Sequence, residues 1–303
     1  MVLNGLLPVF TLIIFGSLLK HFQLTNDVFL KTSDKLTYYI FFPLLLFWKI
    51  GGASAALFSD SGFYKAVLCA VLTVYVLSTA FIFLFKVPDF KAGSFSQSCY
   101  RFNSYIGVAI VLTALGEKGI KHFGILIGMI IPIINVLCVL TLTWFSEKKM
   151  VTVRGLGKIL KSLISNPLIL ACISGILYAN IWDEFPAFLN STLQLCAYVA
   201  LPLAMLSVGG ALSLSSIKNH FKLSLIASLF KLLVLPAIGC LFLMAFEVSG
   251  LSFKVGLIYF ALPTSPVLYV LSSQLNSDTE LASASIALST LLSFFSLSAA
   301  LLL

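Results

Sequence analysis

Apolar runs of about 17 to 26 residues, separated by short polar breaks, constrain this chain more than any other feature. A run of about 20 apolar residues is what a helix needs to cross the hydrocarbon core of a bilayer. Ten such runs can be read, at 3–19, 33–50, 62–85, 95–115, 120–145, 159–178, 187–212, 221–246, 251–273 and 281–302. Composition agrees, because 60% of residues are hydrophobic and 10% are charged, whereas soluble domains carry about 25% charged residues. The Asp and Glu residues all sit in or beside the breaks. The expected fold class is therefore all-α integral membrane, with ten transmembrane helices and no extramembrane domain.

Charge gives an orientation. With the N-terminus outside, the inner loops collect Lys20, Lys31, Lys35, Lys86, Lys91, Lys148, Lys149, Arg154, Lys158, Lys161, Lys218 and Lys222. The outer side receives Lys49, Lys65, Lys118, Lys121 and Lys254. Basic residues favour the cytoplasmic side, so both termini are expected outside an inner membrane. The basic stretch 146–161 is then a cytoplasmic loop. The net charge of +8 follows from this loop pattern and calls for no nucleic-acid partner. The first apolar run has neither a basic lead nor a cleavage motif, so no cleavable signal peptide is expected. The six cysteines lie singly, without metal-ligand or redox spacing, and read as small apolar packers; no metal or cofactor is expected.

The chain repeats itself. A shift of 159 residues pairs Pro8 with Pro167, Gly16 with Gly175, Pro43 with Pro202 and Gly51 with Gly210. Each of these residue types fixes a backbone geometry. Five runs per repeat is an odd number, so the second repeat enters the membrane upside down. The domain plan is thus a first five-helix repeat over 1–145, the loop 146–161, and a second, inverted repeat over 162–303. In such carriers the binding site lies where the repeats meet, on interrupted helices.

Two interruptions are legible. Pro263 and Pro266 bracket Thr264 and Ser265 inside the ninth run, removing two backbone donors. The shift of 159 places Tyr259 on Tyr100 and Pro266 on Gly107, so the counterpart lies around Arg101–Gly107 in the fourth run, where Asn103 and Gly107 weaken the helix. Spans four and nine are therefore expected to be broken and to cross near Asn103–Gly107 and Pro263–Pro266. Thr264 and Ser265 are the side chains placed to re-satisfy freed backbone groups.

Two cations stand out. Arg101 lies about 9 Å into its span and either snorkels to the surface or faces a substrate path, where it could grip a carboxylate. Lys231 is deeper, and an ionisable group at that depth marks function by default. The alternative is an uncharged lysine bonded to carbonyls freed near Pro236. With no carboxylate at mid-depth, Lys231 is the expected proton carrier. Asn135 reads as polar glue between helices, and His220 as a surface residue near a span end. Hydrolytic and nucleotide-binding motifs are lacking, so no catalytic residues are expected.

The segments Arg101-x-Asn103…Gly107, Leu262-Pro263-Thr264-Ser265-Pro266 and Ser283-x-Ser285…Ser289-Thr290-Leu291-Leu292-Ser293 resemble the auxin efflux carrier family. That family includes bacterial malonate-type carboxylate permeases and is similar in fold to bile acid:sodium symporter-like proteins. The resemblance implies a scaffold of spans one, two, six and seven, often with a dimerising surface, and a moving core of spans three to five and eight to ten. Val108 and Ala109 follow Gly107 where members often have proline, and the long central loop of the plant exporters is missing. The functional expectation is a secondary transporter of a small organic anion, a mono- or dicarboxylate, coupled to H+ or Na+ and embedded in membrane lipid. Expected substrate contacts are Arg101, Asn103, Gly107, Lys231, Pro263, Thr264, Ser265 and Pro266. One rival is a sodium-coupled carrier of amphipathic or sterol-like anions, which would need oxygen-rich sodium sites. The other is a ligand-binding membrane sensor, which would need an output domain.

Overall fold

A computed structural model describes residues 2–52, 60–145, 166–182, 184–212 and 214–303. Among these residues the chain is all-helical, with no strand. The predicted basic loop 146–161 lies outside the described residues. Among the described residues, five helical stretches are long and apolar enough to cross a membrane: Ser61–Leu84, Asp89–Trp144, Ala187–Gly210, Ile217–Ala245 and Thr279–Leu302. Large apolar side chains such as Phe83, Leu84, Phe188, Leu241 and Phe295 stand more than half exposed. Lipid, rather than water, is the solvent that suits such surfaces.

The helices are α1 Val2–His21, α2 Asp27–Leu36, α3 Phe42–Gly51, α4 Ser61–Leu84, α5 Asp89–Tyr100, α6 Ser104–Trp144, α7 Pro167–Ile181, α8 Ala187–Gly210, α9 Leu214–Leu229, α10 Leu235–Ala245, α11 Gly250–Ala261, α12 Val267–Gln274 and α13 Thr279–Leu302. Two of the expected continuous spans are built in pieces. Between α2 and α3, and again between α9 and α10, the backbone makes one π-helical turn, at Thr37–Phe41 and Phe230–Val234. A proline follows each turn at the second position of the next helix, Pro43 and Pro236. The proline ring cannot donate to the carbonyl four residues back and would clash with it. A widened turn removes that conflict while keeping the chain helical. In α6 the boundary between the fourth and fifth runs is a kink at Gly116, whose φ of 66° suits glycine.

The chain forms two compact units. Among the described residues, one comprises those within 1–61, 108–132 and 162–211; the other comprises those within 62–107, 133–161 and 212–303. Segment 108–132, which the family resemblance places in the core, groups with the first unit. Within that unit the glycines singled out by the internal shift all lie at helix contacts. A Cβ on Gly16 would run into the Leu206 backbone, and one on Gly210 into the Leu30 side chain. Gly175 faces Ile50 and the Phe47 carbonyl, and Gly51 faces the Phe185 ring. Small residues let backbones approach closely where lipid offers no hydrophobic drive between helices. In the second unit α13 packs along α9, with α5, α11 and α12 against it.

Candidate functional site

The predicted site residues fall in the second unit, at two helix interruptions that meet. The first lies between α5 and α6 at Arg101–Asn103. Arg101 ends α5 in an extended conformation (φ −67°, ψ 145°), and Asn103 is also extended (φ −86°, ψ 102°). The Asn103 side chain makes the break. Its Oδ1 accepts from the backbone N–H of Tyr105 at 3.0 Å and of Ile106 at 3.2 Å, covering orphan donors of the new helix. The break thus sits earlier than expected, and Gly107 is not part of it. Gly107 lies inside α6, with its N–H donating to the Asn103 carbonyl at 3.0 Å. An N-capping amide starts a helix without any help from a glycine.

The second interruption runs from Leu262 to Pro266, between α11 and α12. The Asn103 backbone N–H donates to the Pro263 carbonyl at 2.8 Å and joins the two breaks directly. Phe102 and Tyr259 stack edge to face, 4.8 Å between ring centres, on the same junction. The freed backbone groups are satisfied mainly by α13. Ser289 Oγ accepts from the Thr264 N–H at 3.2 Å, and Ser296 Oγ donates to the Ala261 carbonyl at 2.8 Å. Ser265 contributes as expected, its Oγ accepting from the Val267 N–H at 3.3 Å. Thr264 does not.

What remains is a set of buried polar atoms without a hydrogen-bond partner among the described residues: Asn103 Nδ2, Thr264 Oγ1, Tyr259 OH and Ser285 Oγ. Buried polar groups are ordinarily paired, and each exception asks for a reason. With Oδ1 committed to the cap, the Asn103 NH2 is a free donor beside the amino end of α6. The amino ends of α6 and α12 follow the two breaks, and helix amino ends favour anions.

Both cations are buried, and each bonds within the second unit. Arg101 is 6% exposed and does not snorkel. Its Nη2 donates to Asn135 Oδ1 at 2.8 Å and its Nη1 to Cys138 Sγ at 3.2 Å, both on α6. Asn135 is thus the acceptor that holds a buried guanidinium. Lys231 is completely buried, in the π turn, and its Nζ donates to the Phe260 carbonyl at 3.0 Å. The carbonyl it finds belongs to the end of α11, not to the turn around Pro236, whose ladder the π turn repairs. His220 also departs from a surface role. It lies at a kink in α9, its Nε2 3.4 Å from Asp278 Oδ2 and its Nδ1 3.8 Å from Glu280 Oε2.

The first unit has an open cavity of about 510 Å³ lined by Trp48, Lys49, Glu117, Lys121 and Glu184 among others. Its cations are engaged: Lys49 with Glu117 and over the Trp48 ring, Lys121 with the Gly52 carbonyl. Sequence reasoning missed this cavity, and it missed Ser296 and Cys138 as partners of the site; Ser289 it named only within the tail segment of the resemblance. Pairings across long sequence distances leave no local signal.

A family model described as membrane transport protein matches residues 1–301. The chain belongs to that family. This auxin efflux carrier-like membership agrees with the resemblance carried by the two broken segments and the Ser283–Ser293 tail. An uncharacterized transporter of Methanocaldococcus jannaschii is 24% identical over 298 residues, which is 95% of this chain and 94% of that protein. An uncharacterized transporter of Methanothermobacter thermautotrophicus is 28% identical over 143 residues, 46% of each chain. The membrane transport family and the apolar helices together make this a multi-pass membrane protein.

Proposed function

We propose that this membrane transport protein is a secondary transporter of a small organic anion, a mono- or dicarboxylate, bound where the breaks after α5 and α11 meet. The observation that carries the reading is the free, buried Asn103 Nδ2 beside a backbone bond joining both breaks. A carboxylate offers the acceptors that this amide, the Thr264 hydroxyl and the two helix amino ends lack. Neither break exposes a carboxylate of its own to repel such an anion. Arg101 supports the site from behind through Asn135 and Cys138, holding the end of α5.

The wider architecture belongs to the same proposal. Ten spans form two inverted repeats: α5, break and α6 correspond to α11, break and α12 at nearly the same internal spacing. Access alternates at the crossover of spans four and nine, and H+ or Na+ is the coupling ion. The inner membrane holds the protein with both termini outside, and the scaffold spans offer a homodimer surface. The direct test is uptake of labelled malonate and succinate by proteoliposomes under imposed proton or sodium gradients. Gradient-driven accumulation of either supports the reading; none, with a panel of mono- and dicarboxylates equally inert, refutes it.

A further inference from the structure

The carboxyl end of α11 is the mirror of an anion site. Helix carboxyl ends carry negative partial charge, and in transporters with broken helices these carbonyls hold the coupling cation. Here four carbonyls at or just beyond that end accept from the chain itself. The Tyr259 carbonyl accepts from the Leu262 N–H at 3.4 Å, Phe260 from Lys231 Nζ at 3.0 Å, Ala261 from Ser296 Oγ at 2.8 Å and Pro263 from the Asn103 N–H at 2.8 Å. A metal ion at this end would have to displace several donors, one of them cationic when protonated.

We infer that Lys231 is the cation seat of this carrier, and that the proton its amine carries, rather than a sodium ion, is the coupling cation. The inference rests on the anion-transport reading above. Lysine suits the task because, unlike arginine, it can release its proton inside a protein. Among the described residues Lys231 is the lysine whose Nζ bonds this carboxyl end. Of the elements packed on its turn, α5 brings Cys99 and Tyr100, α10 brings Cys240 and α11 brings Tyr259. The carboxylates Asp89 and Glu280 stand in the first turns of α5 and α13. Lys91 and Lys254 lie in the first two turns of α5 and α11; on α9, Lys218 and Lys222 flank the kink at His220, whose ring faces Asp278 and Glu280. In the cycle an anion and a proton enter together, the proton on the Lys231 nitrogen. Both leave on the other side, so the side chain returns to its starting state.

Two measurements on the full chain test this. First, the melting temperature of the purified protein is compared in sodium chloride and choline chloride at equal ionic strength. No difference is expected; a saturable, sodium-specific rise overturns the inference. Second, labelled malonate uptake is driven by an inward proton gradient. Replacing sodium with choline is expected to leave it unchanged, and Lys231→Arg is expected to lower it about tenfold or more while melting near wild type. Should the larger guanidinium prevent folding, Lys231→Met keeps the apolar stem and is expected to lose the dependence on the pH gradient. Wild-type uptake or pH dependence in either variant overturns the assignment. An inert wild type in the malonate assay would count against the anion reading, while the melting comparison still judges the cation seat.

Discussion

The two broken helices reach the same result by different chemistry. The break after α11 is written in prolines: Pro263 and Pro266 lack N–H groups, and serines from α13 cover what they free. The break after α5 has no proline. It rests on one asparagine, which caps the next helix with its Oδ1 and gives its own backbone N–H to the other break. A proline break persists whatever its neighbours do. A capped break depends on a single side chain, and here the same side chain has an amide donor left over for a ligand. Structure and function are therefore separable at the proline side and fused at Asn103.

The largest expected effect follows from that fusion. Asn103→Asp keeps a capping oxygen but replaces the free donor with a carboxylate oxygen. The variant should fold and insert with a melting temperature close to wild type, yet lose anion uptake by about a hundredfold or more, because a charged group facing a buried like charge costs several kcal/mol. Asn103→Ala should lose both properties, with a stability cost of about 1 kcal/mol for the cap. If Asn103→Asp transports normally, the free amide is not a ligand.

Next comes Arg101→Met, which leaves Asn135 Oδ1 buried without its charged donor. Breaking a buried hydrogen bond to a charged group costs about 1.5–3 kcal/mol, to be read as a lower denaturation midpoint together with reduced uptake. Asn135→Leu should show the same loss, and the double variant less than the sum, because both act on one contact. Full additivity would show that the Arg101–Asn135 contact contributes nothing.

The smallest effects belong to the proline side. Ser289→Ala removes the acceptor for the Thr264 N–H and should cost about 1–3 kcal/mol, the penalty for an unsatisfied buried donor. Ser296→Ala deprives only a carbonyl and should cost less, about 0.5–1.5 kcal/mol. Reversal of that order in chemical denaturation would contradict the picture of α13 as the support of the second break.

How much of this was legible in the sequence depends on range. Proline reports its own backbone consequence, so the break at 262–266 could be read directly. The glycines matched by the internal shift read only as fixing backbone geometry; that they lie at close helix contacts, which a missing Cβ permits, emerged from the structure. Gly107 misled, since an N-cap rather than a flexible residue opens the first break. The π turns were invisible: each looks like ordinary apolar helix until the proline four residues past its middle demands relief. The destinations of Arg101 and Lys231 were hidden for another reason. Depth along a span can be counted, but the direction in which a side chain points depends on partners 34 and 29 residues away.

The central claim is that a carboxylate binds at the junction of the two breaks through Asn103. It is tested most directly by the melting temperature of the purified protein, measured with and without a panel of small mono- and dicarboxylates, in wild type and in Asn103→Asp. The account predicts a saturable rise for at least one carboxylate in wild type and none in Asn103→Asp, whose unliganded melting is unchanged. A rise that survives in Asn103→Asp, or a wild type indifferent to every carboxylate, would contradict it.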